Sequence, residues 1–562
     1  MWTMTPRLAA LLCVALLLPL AGCFGAKHGE PAAPPVSTAC DPCEGCVEGD
    51  AVCAIPPPPP PAPKWPHWPS DGASNKTILE IPSFDAHKIP LTVYRPLVAD
   101  ATHQVPILLH SHGFGGKRAS ADDAFKPLVA AGFGVISFDE RGHGDSRDDS
   151  EVEFMDPDYE VKDVSRVIDY AATLPWVLLD KPGDPRLGGI GLSYGGAFQT
   201  MGAILDGRFD AIVPEITWSD IGEALAPSGA IKSAWVDAFY VDGEAKGDVK
   251  FSNDFHEGFA YVTATNKIPD GSVPGVPDLY HRFKLDSPVS YPGKLTTPTL
   301  FVQGMPDTLF PLNHAVANLR MMEAAGVPDN ETALYTHLSG HIFNTASLAP
   351  GTLPQDGGLQ PPPGPRPCGD TVSLETAWHE RFLLGLNVST GPRVCLALDD
   401  NTTVTGPSFP LPGTVMRRYD APLPTPVVQA PAGAPIQVSL FTAQEDTVIA
   451  GIPMLHGNIT SPGADAIVYF GLMVPSRSGL DQIVDSQFMP LRVAGPNAAP
   501  VPFSIELGGV GLHLKKGEQV VLAVSTTAPI YAANAERIPG GTVLDDLHVE
   551  LPVVPPGTPA LH

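Results

Sequence analysis

Arg186-Leu187-Gly188-Gly189-Ile190-Gly191-Leu192-Ser193-Tyr194-Gly195-Gly196 is the stretch that decides the fold. A short apolar run enters a Gly-x-Ser-x-Gly motif, and the residues that follow, 197–205, have a helical composition. A serine in a sharp turn between a strand and a helix has a strained backbone, so only small neighbours fit, and Gly191 and Gly195 provide them. The order strand, serine, helix predicts a nucleophile elbow with Ser193 at the carboxyl end of a parallel sheet. A plain glycine-rich turn is the alternative.

The segments around this turn alternate between apolar strands and helices. The predicted strands are 78–81, 89–94, 105–109, 133–138, 209–214, 299–304 and 331–337, and the predicted helices are 125–131, 159–174, 313–326 and 373–386. Strands that alternate with helices form right-handed βαβ units and a mostly parallel sheet. The sequence therefore predicts one α/β domain over residues 71–390.

Two regions depart from this alternation. Residues 218–290 lack a βα rhythm and are rich in aromatic side chains, which predicts a helical cap inserted over the site; an ordinary helical excursion packed on the sheet is the alternative. From 391 to 562 the apolar residues alternate in short runs, which predicts an all-β jelly-roll or β-sandwich domain. Since no catalytic constellation falls there, we expect its role to be structural or in substrate binding.

The N-terminus has the features of an export signal over residues 1–22. An apolar run, 8–20, is too short to span a membrane and ends in Leu20-Ala21-Gly22-Cys23, which resembles the lipobox of prokaryotic lipoproteins. The resemblance implies that Cys23 is acylated; an ordinary cleaved signal and an uncleaved anchor are the alternatives. Residues 23–70 are then predicted to form a tether, in which the proline run 56–61 is expected to adopt an extended spacer conformation. We expect an exported protein, lipid-anchored to the outer face of the cell membrane.

Cysteine usage and charge agree with export. The disulfide candidates are Cys40, Cys43, Cys46 and Cys53, whose connectivity is open, and Cys368 and Cys395, whose pairing would staple the junction between the two domains. Metal binding by the first three of these is the alternative. The formal net charge of −27 excludes nucleic-acid binding, which needs a basic surface.

Three residues occur in the order that acyl transfer by an α/β-hydrolase requires: Ser193, Asp307 and His341. Each follows a predicted strand, where open α/β sheets place their sites. Ser193 is the expected nucleophile, His341 the base, and Asp307 the acid that orients it. The rivals are Asp220 for the acid, and His337 and His314 for the base.

Two backbone amides are candidates for the oxyanion hole. One is the N–H of Tyr194, and the other is the N–H of Phe114, in the turn His112-Gly113-Phe114-Gly115-Gly116. The alternative for this turn is a flexible loop. No metal or organic cofactor is needed for this chemistry.

Residues 77–388 resemble an α/β-hydrolase, specifically the cocaine esterase-like and Xaa-Pro dipeptidyl-peptidase-like (S15) enzymes. The resemblance rests on Gly191-Leu192-Ser193-Tyr194-Gly195-Gly196, on Asp139-Glu140-Arg141-Gly142, and on a capped catalytic domain followed by a jelly roll. It implies a serine hydrolase that cleaves a small-molecule ester or a peptide through an acyl-serine. The chain departs from the family in its first oxyanion turn, which lacks the tyrosine that those enzymes usually place there and is closer to that of lipases and other esterases; this predicts an oxyanion hole of two backbone N–H groups. The sequence does not identify acidic residues that would bind a free peptide N-terminus, which favours an esterase over a Xaa-Pro peptidase. A Xaa-Pro aminopeptidase and a non-catalytic surface-binding protein are the alternatives.

Overall fold

The computed structural model describes residues 64–243, 247–341, 364–423, 434–463, 465–477, 483–534 and 542–561. All of them belong to one compact unit, Pro60–His562. The predicted signal, most of the tether and the cysteines Cys23, Cys40, Cys43, Cys46 and Cys53 lie outside the described residues. Among the helices that are described, none is long and apolar enough to cross a membrane.

The catalytic domain is built on a ten-stranded mixed sheet. The strands of this domain are β1 (Ser74–Pro82), β2 (Lys88–Pro96), β3 (Ile107–His110), β4 (Gly134–Phe138), β5 (Leu179–Lys181), β6 (Asp184–Pro185), β7 (Leu187–Leu192), β8 (Ala211–Glu215), β9 (Thr299–Gly304), β10 (Thr332–His337), β11 (Val394–Ala397) and β12 (Thr403–Gly406). The sheet order is β1-β2-β4-β3-β7-β8-β9-β10-β11-β12, and β5 and β6 form a separate hairpin. Pairing is parallel from β4 through β11 and antiparallel at both edges.

The helices lie between these strands as the alternation predicts. They are α1 (Lys126–Ala130), α2 (Glu160–Thr173), α3 (Tyr194–Leu205), α4 (Ile221–Leu225), α5 (Ser233–Asp237), α6 (Asn253–Thr265), α7 (Leu279–Leu285), α8 (Leu312–Ala324) and α9 (Thr371–Leu383). The central strands are apolar because both faces of the sheet are covered; every residue of β3, β4, β8, β9 and β10 is buried. Helices α4 to α7 fall within 218–290, the segment that was expected to form the cap.

The hydrolase sheet extends beyond the boundary predicted at residue 390. Strand β11 pairs with β10, with Val394 opposite Leu334 and Cys395 opposite Tyr335, and β12 closes the edge. Cys368 and Cys395 form a disulfide, so this bond lies inside the catalytic domain and does not staple the junction between domains. The pattern after 390 is all-β on both sides of the true boundary, so alternation alone could not separate an edge strand from the next domain.

The C-terminal domain is a β-sandwich. Its strands are β13 (Val415–Asp420), β14 (Ile436–Thr442), β15 (Thr447–Gly451), β16 (Met454–Ser461), β17 (Asp465–Met473), β18 (Met489–Ala494), β19 (Asn497–Glu506), β20 (Val510–Leu514), β21 (Gln519–Ser525) and β22 (Val543–Val554). One antiparallel sheet has the order β19-β16-β22-β15-β20, with β13 also paired to β22, and the other has the order β14-β21-β17-β18. Buried residues of both sheets, among them Leu455, Phe470 and Leu522, share one core.

Candidate active site

The backbone at Ser193 has the geometry of a nucleophile elbow. Ser193 lies between β7 and α3 with φ 58° and ψ −116°, values that an L-residue rarely adopts. Its neighbours must be glycine, because a Cβ on Gly191 would stand 2.7 Å from the carbonyl oxygens of Ser111 and Gly195. The sequence thus directs the Ser193 hydroxyl to the carboxyl edge of the sheet.

Ser193, His341 and Asp307 lie in one hydrogen-bonded row. His341 Nε2 is 2.9 Å from Ser193 Oγ, and His341 Nδ1 is 2.7 Å from Asp307 Oδ2. The three residues follow β7, β10 and β9, which all end at the same edge of the sheet. The arrangement lets the imidazole accept the serine proton while the carboxylate holds the other ring nitrogen protonated.

The carboxylate of Asp307 is fully buried and held from both sides. Its Oδ1 accepts the backbone N–H groups of Leu309 at 3.0 Å and Phe310 at 2.7 Å, and its Oδ2 also accepts the His341 N–H at 3.1 Å. Hydrogen bonds to a charged acceptor are among the stronger ones in proteins. The orientation of the acid is therefore fixed before substrate arrives.

The rival residues have other partners. Asp220 caps α4 by accepting the Glu223 N–H and forms an ion pair with Lys284. His314 Nδ1 bonds Ser219, at 3.0 Å from its hydroxyl oxygen. None of these residues joins the row at Ser193.

His337, the third rival, lies under the elbow. Its Nε2 is 3.2 Å from Glu215 Oε1, and Arg366 also pairs with that oxygen at 2.6 Å. Burial alone would raise the pKa of Glu215, but His337 and Arg366 hold it down at about 2. The backbone carbonyl of Glu215 accepts the Ser193 N–H at 2.8 Å, so the main chain of this residue helps to hold the nucleophile's turn.

The predicted oxyanion residues lie on two sides of Ser193. The Tyr194 N–H is at the N-terminal end of α3, where no carbonyl of the same helix can accept it. The turn that carries Phe114 adjoins the nucleophile, since a Cβ on Gly113 would stand 3.8 Å from Ser193 Cβ. The rings of Phe114 and Tyr194 are in edge contact at 5.8 Å.

Sequence reasoning did not find Trp235, a cap residue that contacts the base. Its ring meets His341 edge-on with centroids 6.0 Å apart, and its Nε1 donates to Thr308 Oγ1 at 3.2 Å. Thr308 in turn donates to the His341 carbonyl oxygen, from N at 3.0 Å and from Oγ1 at 2.9 Å. The aromatic richness of the cap was the one available signal, and it did not single out this residue.

The cap holds an apolar cavity of about 100 Å³. Phe154 and Phe239 line it, and both rings contact Phe114, at 5.3 and 5.1 Å between centroids. Phe239 also contacts Trp235 at 5.7 Å, which connects the cavity wall to the ring beside His341. A continuous run of ring contacts therefore leads from the cavity wall to His341.

Three carboxyl groups are buried on the other side of Tyr194. Glu140, Glu160 and Asp286 are at most 1% exposed. Burial raises the pKa of Glu140 to about 8 and that of Asp286 to about 9, and it raises the pKa of Glu160 well above its usual range. Glu140 and Asp286 therefore hold a proton at neutral pH and carry little charge.

The sheet, the elbow and the Ser–His–Asp row define a serine hydrolase of the α/β-hydrolase fold. Residues 85–342 match the model of the X-Pro dipeptidyl-peptidase (S15 family). The catalytic domain is therefore similar to that family, as the motifs at 139–142 and 191–196 indicated. A search of curated proteins found no match.

Solved structures share both domains. A CocE/NonD family hydrolase from Staphylococcus aureus is 14% identical with a TM-score of 0.60, covering 86% of this chain and 97% of that chain. An aminopeptidase from the marine sediment archaeon Thaumarchaeota archaeon is 14% identical with a TM-score of 0.58 over the same shares. An α-amino acid ester hydrolase is 17% identical with a TM-score of 0.54, covering 88% and 97%. These likenesses confirm the predicted fold class, a capped α/β-hydrolase followed by a β-sandwich.

Proposed function

We propose that this protein is an exported, lipid-anchored serine esterase that hydrolyses esters with an apolar group through an acyl-Ser193 intermediate. The observation that carries the proposal is the continuous row from Ser193 Oγ through His341 to the buried Asp307, set on a strained elbow. A strained serine turn is costly to the fold, and such turns persist where chemistry needs them.

The reaction follows from the positions of these atoms. His341 Nε2 accepts the proton of Ser193 Oγ as the oxygen attacks the ester carbonyl, and the N–H groups of Tyr194 and Phe114 stabilise the resulting oxyanion. The imidazolium then protonates the leaving alkoxide, which departs as an alcohol and leaves the acyl-serine. Water attacks this ester with His341 again as base, which releases the carboxylic acid and restores the serine. Asp307 holds His341 in the required tautomer throughout.

The cap favours an ester over a dipeptide substrate. Both an ester hydrolase and an aminopeptidase are among the structural neighbours, so the fold does not choose between them. The cavity next to Phe114 is lined almost entirely by apolar atoms, which suits an aliphatic or aromatic group. A free peptide N-terminus needs a charged carboxylate, whereas Glu140 and Asp286 are buried and hold protons at neutral pH, and burial raises the pKa of Glu160 well above its usual range.

Export and lipid anchoring are supported by sequence alone. The motif Leu20-Ala21-Gly22-Cys23 follows a short apolar run, and the tether with its proline run 56–61 would hold the enzyme away from the bilayer. Expression of the full chain and of Cys23→Ser in a bacterium, followed by membrane fractionation, tests this. The parent should sediment with membranes, and equal sedimentation of the variant would refute the anchor.

Labelling with a fluorophosphonate probe tests the nucleophile. The parent should be labelled, Ser193→Ala should not, and Ser120→Ala, which changes an exposed serine, should behave like the parent. Hydrolysis of p-nitrophenyl esters and of Xaa-Pro anilides then separates the two substrate classes. Faster turnover of the anilides would make the aminopeptidase alternative correct, and labelling that survives Ser193→Ala would refute the mechanism.

A narrowed cavity tests the proposed substrate group. Val262 lines the cavity, so Val262→Trp should lower kcat/KM for p-nitrophenyl hexanoate at least about tenfold more than for the acetate, because only the longer chain needs that volume. Val273→Trp, at an exposed valine of the same cap, is the matched control. Equal losses on both esters would show that the cavity does not take the substrate.

A further inference from the structure

The loop that carries Asp307 is held by side chains from three different parts of the protein. Met305, Thr308, Leu309 and Phe310 each have a carbonyl oxygen that accepts a side-chain N–H. The donors are Gln303 Nε2 from β9, Gln487 Nε2 from the β-sandwich and Lys232 Nζ from the cap, at 2.8 to 2.9 Å. We call residues 305–311 the acid loop.

Lys232 is the charged member of this set. It immediately precedes α5, is 2% exposed, and donates from Nζ to the carbonyls of Thr308 and Leu309, both at 2.9 Å. Three titratable groups face its ammonium: Asp307 on the acid loop, Glu223 on α4 and His314 on α8. The two carboxylates attract the ammonium, while His314 is neutral, since burial and the charge of Lys232 lower its pKa to about 3.

Burial of the Lys232 ammonium costs free energy, so its hydrogen-bond partners indicate which part of the protein needs the charge. Burial lowers the pKa of Lys232 to about 7 even though Asp307 and Glu223 favour its charged form. An apolar side chain of similar length would fill the same space without that cost. The side-chain hydrogen bonds of Lys232 are made with the acid loop, so Lys232 joins Trp235 in coupling the cap segment to that loop.

We propose that Lys232 is a positioning residue for the triad: its ammonium, bonded to the carbonyls of Thr308 and Leu309, fixes the acid loop and with it the Asp307 carboxylate that orients His341. The cap then does more than cover the site. Asp307 and His341 reach their active arrangement only when the cap contacts the acid loop through Lys232. This inference rests on the proposed roles of those two residues.

The pH profile of ester hydrolysis tests the proposal. Lys232→Met removes the charge at similar size, so kcat should fall at least about tenfold, and the alkaline decline of kcat/KM that follows loss of the Lys232 proton should disappear. Lys284→Met is the matched control, because Lys284 is also a cap lysine but pairs with Asp220. Lys284→Met should keep the parental kcat and the parental alkaline decline. A folded Lys232→Met that keeps either of these would overturn the proposal.

A second comparison decides the matter if Lys232→Met does not fold. In the parent, loss of the Lys232 proton weakens its bonds to the acid loop, so kcat/KM should decline several-fold above about pH 7 to 8. Lys232→Arg stays charged and should extend the plateau to higher pH. Identical profiles for the two proteins would refute the role of the charge. A parent with no Ser193-dependent esterase activity would refute the proposed function itself, which is a different outcome.

Discussion

Replacement of Asp307 by Asn tests whether the carboxylate sets the tautomer of His341. The two oxygens accept four N–H groups: Leu309 and Phe310 at Oδ1, and the backbone and Nδ1 of His341 at Oδ2. An amide offers one oxygen and one NH₂ group, so it can replace only one of these acceptors. If the oxygen stays with Leu309 and Phe310, the NH₂ faces His341 and donates to Nδ1. The ring proton then lies on Nε2, which cannot accept the proton of Ser193 from 2.9 Å away.

The opposite orientation of the amide is the less favourable one. Its NH₂ would meet the N–H groups of Leu309 and Phe310, and each buried donor left without an acceptor costs about 1–3 kcal/mol. The other orientation leaves only the His341 backbone N–H without an acceptor. The inactive tautomer should therefore dominate, and Asp-to-Asn changes in such triads reduce kcat about 10⁴-fold. This loss corresponds to about 5.5 kcal/mol in the activation barrier, with little change in KM.

Turnover of p-nitrophenyl acetate by purified Asp307→Asn measures this loss. Ser193→Ala gives the background rate, and thermal melts establish that each variant is folded. Asp329→Asn, at an exposed aspartate on the catalytic domain, is the matched control and should retain parental kcat. A folded Asp307→Asn that keeps more than about a tenth of parental kcat at pH 7 would refute the assignment of the acid.

Three further predictions concern the surroundings of the site. Gly340→Ala should lower kcat at least about 100-fold, because Gly340 has φ +140° and a Cβ there would stand 2.9 Å from Asp307 Oδ2. A folded variant with an unchanged kcat would contradict this. Replacing Cys368 and Cys395 by Ser, which opens a link across 27 residues, should lower the free energy of unfolding by about 3 kcal/mol in guanidinium titrations while leaving kcat unchanged. Burial raises the pKa of Asp286 from 3.8 to about 9, so between these values the folded state binds a proton that the unfolded state releases, and stability falls as pH rises. The difference in Tm between Asp286→Asn and the parent should therefore become more positive from pH 5 to pH 8. If the Tm values of both proteins change by the same amount over this range, Asp286 does not titrate in this way.

Sequence could predict the parts of the site that depend on neighbours in the chain. The elbow is one of these, since Gly191, Ser193 and Gly195 are within one turn and the steric need for glycine is local. The fold class follows from strand and helix periodicity, and the order of Ser193, Asp307 and His341 follows from where strands end. The rivals Asp220 and His314 could not be set aside in this way, because their hydrogen-bond partners are visible only in three dimensions.

The remaining features depend on contacts between distant parts of the chain. Lys232 meets Thr308 across 76 residues, and Gln487 meets Met305 across 182. Neither residue lies in a motif, because the need for a donor arises from the shape of the acid loop and not from adjacent sequence. The extension of the sheet by β11 could not be predicted for the same reason, since an apolar β pattern does not specify which sheet a strand joins.

Gln487 makes the loop that carries the catalytic acid depend on both domains. It comes from the β-sandwich, yet its amide donates to the carbonyl of Met305, two positions from the acid. Asn313 on α8 adds a second link, donating to the Leu507 carbonyl at 3.1 Å and accepting the Gly509 N–H at 3.1 Å. An engineer who transplants the catalytic domain onto another carrier must therefore bring 483–514 with it or supply new donors for those carbonyls. The local structure around the catalytic acid is therefore a property of the pair of domains.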